Sequence, residues 1–135
     1  MRILLPFLFL TLLATSSSVF SAEISMDECH KTIAGFNSSL PMQLDNITTW
    51  TNTPCVSLGG DAIGLVYENE VQSGNAITQV ELDAVRPSLV MSWCLGPNLW
   101  PLIRVVDEVK YLYAFDDGSK IGELLFSVQE CIASQ

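Results

Sequence analysis

The sequence predicts an α+β domain: a largely antiparallel sheet of about four strands with helices packed on one face, in the order α-β-β-α-α-β-β, tied by two disulfides. Three observations carry this expectation. Ser25-Met26-Asp27-Glu28 and Thr78-Gln79-Val80-Glu81 are capping boxes, which mark helix starts. Alternating apolar segments flank glycine turns at Gly59-Gly60-Asp61 and Asp116-Asp117-Gly118-Ser119. Four cysteines, Cys29, Cys55, Cys94 and Cys131, stand in a chain with an export signal.

Met1-Arg2, the apolar stretch from Ile3 to Ala14, and the small residues from Thr15 to Ala22 match the three zones of a signal peptide. Cleavage after Ser21 or after Ala22 fits, so residues 1–21 are expected to be removed and 22–135 to form a single domain. The apolar run of about 12 residues is too short to span a bilayer, which takes roughly 20. Hydrophobic residues make up 49% of the chain and charged ones 16%, a balance that buries a core and excludes a disordered chain.

The first helix follows Ser25, with Ile33 and Phe36 on the face of Cys29. Pro41 ends it, and Leu40 to Leu44 reads as an extended lead-in. Ile47 to Leu58, rich in Thr and β-branched residues, pairs across Gly59-Gly60 with Asp61 to Val71, where Ile63, Leu65, Tyr67 and Val71 share one side. In the second helix Leu82, Val85, Leu89 and Trp93 are expected as the buried stripe, with a kink or break near Arg86 because Pro87 lacks an N–H. Asn98 to Val106 is expected to form a further short helix. Val109, Tyr111, Tyr113 and Phe115 then make a strand, and Lys120 to Gln129 returns with Leu124, Phe126 and Val128 inward and Cys131 ending the hairpin.

Four cysteines allow three connectivities, and the gaps between them, 26, 39 and 37 residues, lack the close pairs of a structural zinc site. The element order favours Cys29–Cys55 and Cys94–Cys131, each tying a helix to the end of a nearby strand.

The helix ending in Cys94, Pro97-Asn98-Leu99-Trp100-Pro101-Leu102, Tyr111-Leu112-Tyr113, Asp116-Asp117-Gly118 and Cys131, with Leu40-Pro41-Met42-Gln43-Leu44-Asp45 upstream, resemble a group of small exported bacterial proteins. The likeness spans residues 40–131. It implies a periplasmic or secreted protein with a Cys94–Cys131 bond, treats Cys29 and Cys55 as additions, and brings no catalytic residues.

Without residues 1–21 the chain holds five basic residues against fifteen acids, a formal charge of −10. No two basic residues lie closer than six positions, so nucleic acid is excluded as a partner and anionic membrane disfavoured. An acidic surface fits solubility or a basic protein partner. Cys29-His30 does not make a nucleophile and base, because helix neighbours point about 100° apart. Asp116-Asp117-Gly118 reads as a turn rather than a calcium loop, and Glu68 with Glu70 as a solvated strand face. Trp93 falls on the core stripe, whereas Trp50 and Trp100 are the surface candidates for binding. Asn37-Ser38-Ser39 and Asn46-Ile47-Thr48 are glycosylation sequons, coincidental in a bacterium.

No cofactor, metal or catalytic residue is indicated. The expected function is an exported, non-enzymatic binding module acting on a protein through its acidic surface. An immunity or inhibitor protein against a basic partner, and a carboxylate hydrolase of envelope polymers, are the alternatives.

Overall fold

The structure, a computed structural model, describes residues 22–96 and 106–133. The expected signal segment, the short helix expected over 98–106 apart from Val106, and Trp100 lie outside the described residues. Within the described residues nine elements follow in order: α1 (Ala22–Asn37), β1 (Met42–Gln43), β2 (Thr48–Asn52), β3 (Cys55–Gly59), β4 (Ala62–Val71), α2 (Gln79–Leu95), β5 (Glu108–Phe115), β6 (Lys120–Ser127) and α3 (Val128–Ala133).

The mixed α+β class holds, but the sheet is larger and differently ordered than expected. It has six strands, running β1-β2-β4-β5-β6, with β3 also paired to β4. The segment expected as one strand over Ile47–Leu58 is divided at Thr53-Pro54, where proline removes a ladder donor. Both pieces still pair antiparallel with the same partner: Thr48–Asn52 lies opposite Glu68–Val71, and Cys55–Gly59 opposite Ala62–Leu65. Across the break the Asn37 side chain replaces the missing strand neighbour. Its amide donates to the Thr53 carbonyl at 3.1 Å and its carbonyl accepts the Thr53 N–H at 3.0 Å. The extended lead-in supplies the sixth strand, Met42–Gln43 pairing with Thr49–Trp50.

At the centre β4 and β5 run parallel, from Gly64 beside Glu108 to Val71 beside Phe115, where consecutive antiparallel hairpins were expected. A parallel pair needs a crossover over one sheet face, and α2 lies within that connection. The β5–β6 hairpin is antiparallel as expected, but β6 stops at Ser127 and Cys131 sits in α3. The alternation of Leu124, Phe126 and Val128 runs on into the first turn of that helix and hides the change of period.

Two further expectations change. Helix α1 is already present at Ala22, so Ser25 lies within it rather than starting it. Of the kink or break expected near Arg86, the break does not occur and helix α2 continues through Pro87: both Pro87 and Asp83, whose carbonyl loses its donor, are exposed, so water can serve that carbonyl. Its start is as expected, with Thr78 at the N-cap and the Glu81 carboxylate closing the box.

The helices bring buried residues to one cluster. Cys29 and Ile33 of α1, Trp93 and Cys94 of α2 and Cys131 of α3 meet Ile63, Leu65 and Tyr67 of β4, Val109 of β5 and Phe126 of β6. An aromatic row crosses the sheet. Trp50 tilts against Tyr67 at 5.5 Å, Tyr67 stacks on Tyr111 at 4.6 Å, Tyr111 lies 6.1 Å from Phe126, and Trp93 meets Phe126 edge-on at 5.6 Å. Such pairs add about 0.5–1.5 kcal/mol each beyond their area. Disulfides Cys29–Cys55 and Cys94–Cys131 fasten α1 to β3 and α2 to α3. By restricting the unfolded chain each contributes about 2–4 kcal/mol.

Helix α2 lies against the outer edge of β6, whose N–H and C=O groups would otherwise be open. The Gln79 amide donates to the Glu123 carbonyl at 2.8 Å and its oxygen accepts the Glu123 N–H at 2.9 Å. Two turns on, Arg86 donates to the Leu125 carbonyl at 2.8 Å and to Glu130 at 2.9 Å. The approach requires glycine at position 122: a Cβ there would overlap the Gln79 side-chain oxygen and press on Leu82 at 3.1 Å.

Gly122→Ala is therefore expected to destabilise the protein by about 1–3 kcal/mol, the usual cost of overpacking. Gly64→Ala, whose Cβ meets side-chain atoms of Val56 and the exposed Leu58 at 3.0 Å, is expected to cost less. Urea denaturation of both variants checks the order. The core tyrosines give a second expectation. Burial pushes the Tyr67 phenol up to about 12 and that of Tyr111 higher still. Their folded values lie above the unfolded one, so the stability they contribute is complete below pH 10 and lost as pH rises towards 12. Tyrosinate absorbance should accordingly appear together with unfolding; ionisation of all three tyrosines near pH 10 in a folded chain would contradict the packing.

Candidate binding groove

Because α2 leans on the β6 edge, the stripe expected to be buried is only half covered. Leu82 and Trp93 are in the core at 5% and 0% exposure, but Val85 is 47% exposed and Leu89 half-buried. Those two face the side of α2 away from β6, where an open groove of about 340 Å³ separates the helix from the sheet. Val85 and Leu89 of α2, with Ile77 just before it, form one wall; Leu44 and Ile47 form the other, and Val71 and Tyr113 the floor.

The groove wall from β1 to β2 is shaped by Asp45. Its Oδ1 accepts the backbone N–H groups of Ile47 at 2.8 Å and Thr48 at 2.7 Å, turning the chain so that Leu44 and Ile47 flank the opening. The Ile47 N–H above all, then that of Thr48, holds this carboxyl below the usual aspartate range. On the helix side, the Thr78 hydroxyl and the Thr78 N–H, the latter at 2.8 Å, donate to Glu81 and lower its pKa, the hydroxyl contributing most. Burial, and then the charge of Asp45, raise the Tyr113 phenol, so it stays a neutral hydrogen-bonding group.

The groove therefore combines apolar walls with two ionised carboxylates and one phenol. Both carboxyls are held in the charged form, the reverse of the raised acid that general-acid catalysis needs.

The residues singled out from the sequence fall elsewhere. Trp50 is half-buried against the core, and its indole N–H donates to Thr53 Oγ1 at 2.6 Å and to the Asn52 carbonyl at 3.2 Å. Trp100 lies outside the described residues. Trp93 is fully buried, and its N–H makes no hydrogen bond of normal geometry among the described residues. His30 is exposed on α1, beside a cysteine committed to a disulfide. Glu68 and Glu70 stand on the sheet face opposite Tyr67, with Glu70 open to solvent. Asp116 accepts the Ser73 N–H at 3.1 Å and its hydroxyl, while Asp117 accepts the Ser119 N–H at 2.8 Å and hydroxyl at 2.6 Å. These carboxylates shape turns. Asn37 is committed to Thr53, and Asn46 is exposed beside the Asp45 turn. Among the described residues no group of three or more His, Cys, Asp or Glu side chains can hold a metal ion, and no helix is long and apolar enough to cross a membrane.

The groove residues Ile47, Val85, Leu89 and Tyr113 were not singled out from the sequence as a site. One signal did point there. Helix α2 carries Val80, Leu82, Val85, Leu89, Val90, Met91, Trp93 and Leu95, more apolar directions than one buried face can absorb.

No known protein family matches the chain, and no curated protein matches it. Two solved structures share its fold. One is described as a "putative secreted protein" from Pseudomonas aeruginosa, with a TM-score of 0.66 and 12% identity, covering 84% of this chain and 98% of that one. The other is the pilotin EpsS from the Vibrio vulnificus type 2 secretion system, with a TM-score of 0.58 and 10% identity, covering 82% of this chain and 94% of that one. At these identities the likeness is one of fold.

Proposed function

We propose that the chain is an exported, non-enzymatic protein-binding module of the bacterial periplasm or secreted fraction, and that the groove beside α2 holds its partner. The groove is the observation that carries this reading: an open, largely apolar channel with the ionised Asp45 and Glu81 on its lining. The partner segment it fits has an apolar face and adjoining Lys or Arg residues, recognised by burial of the first and attraction to the second. The two disulfides support an oxidising compartment. A fold shared with a described secreted protein and with a pilotin of a secretion system supports export and work on another protein. An immunity or inhibitor protein against a basic partner is the narrower form of the same reading, favoured by the charge of −10 left after residues 1–21.

The test uses two designed amphipathic peptides, one of Leu and Lys, the other of Leu and Glu, titrated into the oxidised protein. The Lys peptide is expected to bind and the Glu peptide not to, with affinity falling as salt is raised. Val85→Gln should weaken binding about tenfold, the loss expected for one apolar contact of about 1.4 kcal/mol, while Leu58→Gln on distant β3 should leave it unchanged. Asp45→Asn with Glu81→Gln keeps the turn and the capping box and should flatten the salt dependence. Equal binding of both peptides, or insensitivity to Val85→Gln, would overturn the proposal.

A further inference from the structure

Helix α2 carries a second apolar stripe, on the side turned away from the core. Val80, Ala84, Pro87, Met91 and Leu95 recur at spacings of four, three, four and four, so they fall within about 80° of one another around the helix. All five are exposed, Val80 at 74%, Met91 at 63% and Leu95 at 66%. No described residue covers them. Monomeric proteins seldom leave such a row open along a whole helix.

From these observations we infer that the stripe pairs with α2 of a second copy of this chain, antiparallel about a two-fold axis. Two features favour a second copy. The first is charge. From Ala84 to Leu95 the only charged residue in α2 is Arg86, which is engaged by Glu130 and the Leu125 carbonyl; the acids Glu81 and Asp83 stand only at the Val80 end, Glu81 on the groove lining and Asp83 accepting from the Gln79 amide at 2.8 Å. A basic partner finds no counter-charge on this stretch, and an anionic lipid surface is repelled by the chain as a whole, whereas an identical neutral stripe can be covered without burying a charge.

The second feature is the spacing, which complements itself. With the axis midway between Pro87 and Ser88, Val80 falls opposite Leu95 of the other copy and Ala84 opposite its Met91. Small then meets large on both sides of the axis, as close helix packing requires. The small Ser88 borders the seam and lets the helices approach. A 17-residue helix is about 25 Å long, so one helix pair lies at the small end of stable interfaces and the dimer is expected to form at about micromolar to tens of micromolar concentration. The groove with Val85 lies on another side of α2 and stays open in both copies.

Sedimentation velocity on the oxidised protein, across a concentration series at low and high salt, tests the pairing. The expected result is a monomer–dimer equilibrium that tightens with salt, because salt screens the repulsion between two acidic chains. That is the opposite sign from groove binding, so the two proposals fail separately. Met91→Glu is expected to give monomer at every concentration. Ala84→Met and Met91→Ala should each weaken the dimer about tenfold or more. The double exchange Ala84→Met with Met91→Ala restores the small-against-large pairing and should recover most of the loss. Monomer throughout at high salt, a dimer that survives Met91→Glu, or a double variant no tighter than the singles would overturn the inference.

Discussion

The free edge of β6 is the constraint on which the molecule turns. An outer strand presents unpaired N–H and C=O groups, and here α2 answers them with side chains: the Gln79 amide takes both groups of Glu123 as a neighbouring strand would, and Arg86 takes the carbonyl of Leu125. Gly122 leaves room for the helix to come this close. At the far end Cys94–Cys131 fastens α2 to α3, and Arg86–Glu130 joins the same two elements midway. The ion pair is half-exposed and contributes modestly, about 0–1 kcal/mol, so glycine, amide and disulfide hold the helix in place.

Everything proposed about function follows from where that leaves α2. A helix centred over the sheet would bury Leu82, Val85, Leu89 and Trp93 together. Drawn to the β6 edge, it buries Leu82 and Trp93 and opens Val85 and Leu89 towards Ile47 and Tyr113. The parallel pairing of β4 and β5 contributes as well. It carries the connection across one sheet face, so the ends of β4 and β5, at Val71 and Tyr113, form the floor of the groove. On the opposite wall the Asp45 turn sets Leu44 and Ile47 in position and brings a charge held ionised by backbone N–H groups. The outer stripe of α2 is the third face of the same helix.

Much of the frame was legible in the sequence because its signals are local. Thr78-x-x-Glu81 starts α2, the glycines at 59 and 60 with positive φ turn the first hairpin, and apolar alternation marks the buried sides of β4 and β5. What escaped depends on contacts distant in sequence. Alternation is the same for parallel and antiparallel neighbours, so Ile63 to Val71 could not announce that β5 lies beside it in the same direction. The division at Pro54 depends on Asn37, 16 residues away, replacing a strand partner for Thr53. The exposure of Val85 depends on Gln79 and Gly122 drawing the helix aside. Trp50, a surface candidate by its polar neighbours, is held by Tyr67 and Thr53.

The central claim is that the side of α2 facing away from β6 is a binding face. Its most direct test is methyl-detected NMR of the oxidised protein during titration with the Leu–Lys peptide. The account predicts shifts concentrated at Leu44, Ile47, Ile77, Val85 and Leu89, with Leu58, Leu112 and Leu125 unmoved. Shifts centred on those last three, on the open face of the sheet, or none at saturating peptide, would contradict it.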